Sequence, residues 1–196
     1  MSSSYLLDPF VMTLLTDKGK SYLDIGCGKG KWGYLINTSH KPPSFIVGGD
    51  LDIKNIMYAQ KKQVYDDVLL FDGRYLPFRD ASFDIVLALE VIEHMEKLEG
   101  YKLLNEAERV SKEKVIVSTP LLGARYWYSE KEHISRWTVS DLHSKGYIVR
   151  GIGFSFFGHF TTYRLAFALA PLAYYIPWMS YILLAWKNLR RKNNIK

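Results

Sequence analysis

The sequence predicts an α/β domain built on a doubly wound, seven-stranded sheet, mostly parallel with an antiparallel last strand. Three observations carry that reading. Apolar runs alternate with helix-period segments from about residue 20 to residue 120, the pattern of parallel βαβ units. One run, Leu23-Asp24-Ile25, passes straight into Gly26-Cys27-Gly28-Lys29-Gly30, a turn that lets backbone come very close to a ligand. With 196 residues, 48% of them hydrophobic, the chain can fill one sizeable core and is too apolar for intrinsic disorder. Residues 1–196 are therefore read as one domain, with an apolar insertion at about 155–177 and a basic tail at 187–196.

Five short apolar or β-branched runs read as buried strands: Ser21–Ile25, Phe45–Gly49, Val68–Phe71, Phe83–Leu89 and Lys114–Ser118. Each ends near Gly, Asp or Pro, as strands feeding loops do. Between them Lys31–Asn37, Ile53–Gln63 and Lys97–Ser111 place apolar residues three and four apart, for example Leu103, Leu104, Ala107 and Val110, and read as crossover helices. Thr138–Lys145 reads as a helix capped by Thr138 or Ser140 and stopped by Gly146, followed by a strand over Tyr147–Phe154. From Leu165 to Trp186 there is no charged residue, and about 20 apolar residues suffice to cross a bilayer. Pro171 and Pro177 oppose a continuous span, so the segment reads as a helix and a last strand over Tyr181–Trp186, antiparallel beside Tyr147–Phe154.

Charge and cysteine narrow the function classes. The net charge of +6 is concentrated in Lys187, Arg190, Arg191, Lys192 and Lys196, which leaves the body nearly neutral. Such a tail can touch phosphate or anionic lipid, or simply keep the protein soluble, and it does not predict a nucleic-acid binder. Cys27 is the only cysteine, so no intramolecular disulfide forms and a reducing cytoplasm is expected. Phe154, Phe156, Phe157, Phe160, Tyr163, Phe167, Tyr174 and Tyr175 supply more aromatic surface than a linker needs. Its cover can be the domain's own core, a second copy of the chain as a homodimer, or a membrane surface that the protein touches peripherally.

The glycine turn has two ligand readings. Without Cβ atoms at Gly26, Gly28 and Gly30, the loop can pass under a ribose and an amino-acid tail, and the following helix adds a positive end. Gly28, Gly30 and Gly33, with Asp50 about 20 residues on, also satisfy the dinucleotide pattern. Position favours the first reading, because the strand ends at Gly26, ahead of that triplet. Asp24 points the same way, since a carboxylate there suits an ammonium group and repels a pyrophosphate.

Further along, Val47-Gly48-Gly49-Asp50-Leu51, Phe71-Asp72-Gly73-Arg74-Tyr75-Leu76-Pro77-Phe78, Ser82-Phe83-Asp84-Ile85-Val86 and Glu90-Val91-Ile92-Glu93-His94 follow in order. Together with Leu23 to Gly30 they resemble the class I S-adenosylmethionine-dependent methyltransferases, in particular the type 11 methyltransferase domain, over about residues 20–120. The resemblance implies a Rossmann-like fold and S-adenosylmethionine as the cofactor. It implies that Gly26, Gly28 and Gly30 cradle the methionine moiety and ribose, with Asp24 near the ammonium group, and that Asp50 accepts both ribose hydroxyls. Leu51 would lie on the adenine face, with Asp72 taking the adenine amino group and the Gly73 N–H facing a ring nitrogen. Glu90 would line the methyl-transfer cavity. Asp52 stands where the family often has Ser or Thr, a capping substitution.

Methyl transfer from a sulfonium needs chiefly positioning and exclusion of water. His133, in the aromatic loop Tyr126–His133 after the fifth strand, is the catalytic candidate, because an imidazole there could take a proton from an attacking hydroxyl or amine. A hydrogen-bonded loop histidine is the plainer alternative, as orientation of a helix entry is for His94. Histidine spacing predicts no metal site, and Cys27 reads as a small filler. The expected partner is a small-molecule acceptor, to which a methyl group would pass onto O, N or C. A cofactor-binding regulatory module and a dinucleotide-dependent oxidoreductase remain as alternatives.

Overall fold

A computed structural model describes residues 4–15, 18–121, 133–153, 169 and 171–189. The expectations for Tyr126 to Glu132, for most of the insertion at 155–177 and for the end of the basic tail lie outside these residues. Seven strands form one sheet in the order β3-β2-β1-β4-β5-β7-β6. They are β1 Ser21–Ile25, β2 Phe45–Asp50, β3 Asp67–Leu70, β4 Phe83–Leu89, β5 Ser111–Pro120, β6 Ile148–Ile152 and β7 Ile182–Asn188. The first five are parallel, and β7 runs antiparallel between β5 and β6.

Side-chain alternation along the strands builds two cores. Leu23, Ile25, Val47, Val86, Ala88, Val115 and Val117 face one layer, where helices α4 (Lys97–Val110) and α5 (Val139–Ser144) bring Leu103, Leu104, Ala107 and Leu142. Tyr22, Ile46, Ile85, Leu87, Leu89 and Ile116 face the other. There helices α1 (Asp8–Leu14), α2 (Lys31–Asn37) and α3 (Ile53–Lys62) bring Val11, Ile36, Ile56 and Ala59. Strands buried on both faces read as unbroken apolar runs, which is why the sequence shows them so clearly.

The differences from expectation have local causes. β5 begins three residues early because Lys112 and Glu113 are exposed at its start and carry no apolar signal. β7 runs on through Lys187, whose ammonium reaches the Glu108 carboxylate at 2.8 Å. Helix α3 stops at Lys62 because Gln63 turns left-handed at φ 52°. Thr138, rather than Ser140, caps α5, in a reciprocal box with Asp141. Helix α1 was not foreseen, although Pro9 in its first turn and the Leu7, Val11, Leu15 spacing are both start signals. The 171–175 helical turn and the Pro177–Met179 3-10 turn lead into β7. No helix among the described residues is long and apolar enough to cross a membrane.

Candidate functional site

The carboxyl ends of β1, β2, β4 and β5 meet at one edge of the sheet, where open α/β sheets bind ligands. After β1 the chain turns through Gly26, Gly28 and Gly30 at φ +72°, +49° and +81°. L side chains rarely adopt this left-handed region, so the alternate glycines are a backbone requirement. The N–H groups of Gly26 and Cys27 both donate to the Gly49 carbonyl, at 2.8 and 2.9 Å, folding the loop over the end of β2. Asp50 fastens it: Oδ2 accepts from Gly28 N at 3.0 Å and Oδ1 from Asp52 N at 2.9 Å. Asp50 is only half-buried, whereas Leu51 beside it is 67% exposed, an apolar side chain left on the surface next to a polar edge. Asp52 caps α3 by accepting from Lys54 N.

Asp24 lies beneath this loop. It is 1% exposed and accepts from the Tyr65 hydroxyl at 2.6 Å, while that hydroxyl accepts from Gly33 N at 3.2 Å. Burial pushes its carboxyl up to about 7. The Tyr65 ring in turn explains two glycines, since a Cβ at Gly33 or Gly48 would meet it at 2.6 or 3.0 Å. Gly33, the third member of the dinucleotide triplet, is therefore occupied in packing. Burial, with Asp24 and Asp50 nearby, pushes the Cys27 thiol far above its ordinary range, so it is chemically quiet.

Asp72, after β3, is held by the Arg74 guanidinium at 2.9, 3.0 and 2.6 Å, and Arg74 also reaches Glu99. The Arg74 fork holds the Asp72 carboxyl below its ordinary range. Gly73 is shaped by packing, because a Cβ there would meet Ile25 and Leu103 at 2.9 Å.

Glu90 follows the last residue of β4 in the left-handed region, at φ +57°. Backbone strain of this kind in a non-glycine residue costs about 1–3 kcal/mol and gathers at functional sites. Its N–H donates to the Ser118 carbonyl at 2.9 Å and its Oε2 accepts from Ser4 N at 3.1 Å. Ser4 also accepts from Lys31 through its carbonyl, and Lys31 pairs with Asp8 at 2.6 Å. The N-terminal segment thus lies across the edge between the glycine loop and Glu90, a cover the sequence reading did not place.

Beyond Glu90, the Ile92–His94 turn is sewn to the segment at 133–137. Ile134 N and Ser135 N donate to the Glu93 carbonyl at 2.8 and 3.0 Å, and the Ser135 hydroxyl and Trp137 Nε1 each donate to the Ile92 carbonyl at 3.2 Å. The Trp137 ring is fully buried against Gly100. This seam brings the half-buried His133 ring to 5.2 Å from that of His94, edge to face. Glu93 is 2% exposed, and burial followed by the charge of Glu90 pushes its carboxyl up to about 8. The sequence offered no spacing signal for this meeting of Glu93, His94 and His133, because the two histidines sit on distant segments that the Trp137 seam brings together.

A doubly wound sheet with an antiparallel β7, a left-handed glycine turn and an acid closing the second strand defines the class of nucleoside-binding α/β domains. Residues 23–118 match the family model described as a methyltransferase domain. The 27-O-demethylrifamycin SV methyltransferase of Amycolatopsis mediterranei is 31% identical over 115 residues, 56% of this chain and 41% of that protein. The phthiotriol/phenolphthiotriol dimycocerosates methyltransferase 1 of Mycobacterium ulcerans is 37% identical over 75 residues, 37% of this chain and 27% of that protein. These matches span less than half the length of either relative. A crystal structure of a SAM-dependent methyltransferase from Archaeoglobus fulgidus shares the fold with a TM-score of 0.68 at 15% identity, covering 94% of this chain and 93% of that one. The chain belongs to the class I S-adenosylmethionine-dependent methyltransferases, and S-adenosylmethionine is the methyl donor of that family.

Proposed function

We propose that this chain transfers a methyl group from S-adenosylmethionine to an O, N or C nucleophile of a small, apolar acceptor. The observation that carries the reading is the opposition of two halves of one sheet edge. The glycine loop and Asp50 stand on β1 and β2, and Glu90, His94 and His133 stand beyond β4 and β5. The donor supplies a methyl group already activated on a sulfonium, so the protein's work is to hold and orient it and to exclude water. Gly26, Gly28 and Gly30 pass beneath the methionine moiety and ribose. Asp50 turns its carboxylate to the ribose hydroxyls, which add to the two N–H groups it already holds. Leu51 offers its exposed side chain to the adenine. Gly73 and Asp72 border the base, with Asp72 set by Arg74. Asp24 acts from below, fixing Tyr65 and through it the entry to α2. His133 is the catalytic candidate on the acceptor side.

The apolar character of the acceptor rests on what lies next to the site. Ser4 reaches Glu90, Phe10 of α1 stacks on Tyr174 at 5.8 Å, and Leu172, Tyr175 and Trp178 are exposed in the same stretch. The relatives from Amycolatopsis mediterranei and Mycobacterium ulcerans, two among several, are named as methyltransferases of small molecules, which supports a small acceptor. Incubation of the protein with methyl-labelled donor and a fractionated cell extract tests it. Label should enter a solvent-extractable small molecule and be lost with Asp50→Ala. Donor binding without transfer to any fraction would favour the regulatory module, and label confined to protein or nucleic acid would overturn the choice of acceptor.

A further inference from the structure

We propose that Glu93, His94 and His133 form a divalent-cation site whose open positions take the oxygen of a hydroxyl acceptor. The inference rests on the methyl-transfer reading for the acceptor and on geometry alone for the cation. One ligand atom from each of the three side chains lies within 4.8 Å of the other two. Ligands at about 2.1 Å from a shared cation stand about 3 to 4.2 Å apart, so small side-chain rotations close the set. The cluster is built in advance by the four hydrogen bonds between 133–137 and the Ile92–His94 turn, with Trp137 as the buried anchor.

A second observation points independently to a ligand. Glu93 is 2% exposed, yet neither carboxylate oxygen has a hydrogen-bond partner within geometric range. Among the described residues Glu93 forms no ion pair. A buried carboxylate left in that state is costly unless something charged or donating meets it. A cation bound also by the two imidazoles fills that role. The donor set selects the metal: two imidazoles with one carboxylate suit manganese, iron, cobalt or zinc, whereas calcium and magnesium prefer all-oxygen cages. Three protein ligands leave positions open for an exogenous oxygen, as in catalytic metal sites.

The position gives the cation its task. The turn begins directly beyond Glu90, so the open positions border the edge where the methyl group arrives. A hydroxyl bound to a dication gives up its proton far more readily, as zinc-bound water does when its pKa falls to about 7. The acceptor's O–H proton then passes to water, its oxygen forms the new bond to the methyl carbon, and the sulfur–methyl bond breaks to leave a neutral thioether. His133 thereby acts through the metal, as a ligand, rather than by taking the proton itself.

The test uses the whole protein, stripped with EDTA and desalted. Titration with Co2+ should give a saturable visible d–d band at one equivalent, displaced by Zn2+, and addition of catechol should shift that band through inner-sphere oxygen. His133→Ala and His94→Ala should each weaken Co2+ binding at least about tenfold, while S-adenosylmethionine affinity measured by calorimetry in EDTA stays within about twofold of wild type. That second reading shows the variants folded and tests the donor site separately. Absence of the band in wild type, or undiminished Co2+ binding in both variants, overturns the site, leaving the two rings as a packed pair. A Co2+ band that ignores catechol overturns the acceptor role.

Discussion

The two halves of the sheet edge are made differently. The half proposed to hold the donor is backbone: three left-handed glycines, two amides shared by the Gly49 carbonyl, and one carboxylate, Asp50, all within two consecutive βα turns. The half proposed to meet the acceptor is side chain: Glu90, Glu93, His94 and His133, drawn from β4's end and from a distant segment by the Trp137 seam. A site of backbone shape must be written as glycines at fixed offsets, so it shows in one sequence. An assembly of side chains across a tertiary seam need leave no periodic trace. On the proposed reading, binding of the common donor is a local property of the chain, whereas acceptor chemistry is a property of the folded molecule.

The largest effect that would sharpen this contrast comes from Asp50. Donor at about 100 times its dissociation constant should stabilise wild-type protein by about 2.7 kcal/mol. Asp50→Ala should remove nearly all of that thermal shift, since the carboxylate holds the loop and is proposed to take the ribose as well; retention of a wild-type shift would show that the loop binds by shape alone.

Next comes the support under the loop. Tyr65→Phe deprives the buried Asp24 of its donor and Gly33 N of its acceptor, and should cost about 1–3 kcal/mol in chemical denaturation. The same acid sets a pH dependence. Folded Asp24 keeps its proton to about pH 7, whereas the unfolded chain releases it near its ordinary 3.8. The folded state therefore binds more protons between these values, and stability is full below about pH 4 and declines as pH rises towards 7. Asp24→Asn should flatten that part of the curve; an unchanged slope would mean that the acid is ionised in the fold.

On the acceptor half, Trp137→Phe removes the indole donor to Ile92 and Ser135. It should cost about 1–2 kcal/mol of stability and lower turnover while leaving the donor dissociation constant unchanged. A matching loss of donor affinity would break the separation of the halves. The smallest effect is at Asp52, where loss of the cap on α3 should cost about 1 kcal/mol with no change in donor binding. Flotation with anionic liposomes at low salt, where attraction is least screened, reads the surface around Tyr175 and Trp178 and the basic tail. Protein that stays at the bottom removes the membrane from the account of the acceptor.

Legibility followed the physics of each element. The parallel core showed in advance because buried strands are apolar throughout, and Leu23 to Gly30, Asp50 and Asp72 were visible through motif order. The charged strand ends at Lys112, Glu113 and Lys187 were not, because their partners are tertiary. Asp24 was legible as a residue and not in its surroundings, since nothing in the sequence reveals that Tyr65 reaches it across Gly48 of β2. The cover that Ser4 makes on Glu90 is equally silent, being a contact between chain ends of different elements.

The central claim, that this edge binds a methyl donor through its glycine turn and Asp50, is met most directly by calorimetric titration of the EDTA-treated protein with S-adenosylmethionine and, separately, with NAD. The account predicts one saturable site for S-adenosylmethionine, lost with Asp50→Ala, and no heat of binding with NAD. Saturable binding of NAD with none of S-adenosylmethionine would contradict it.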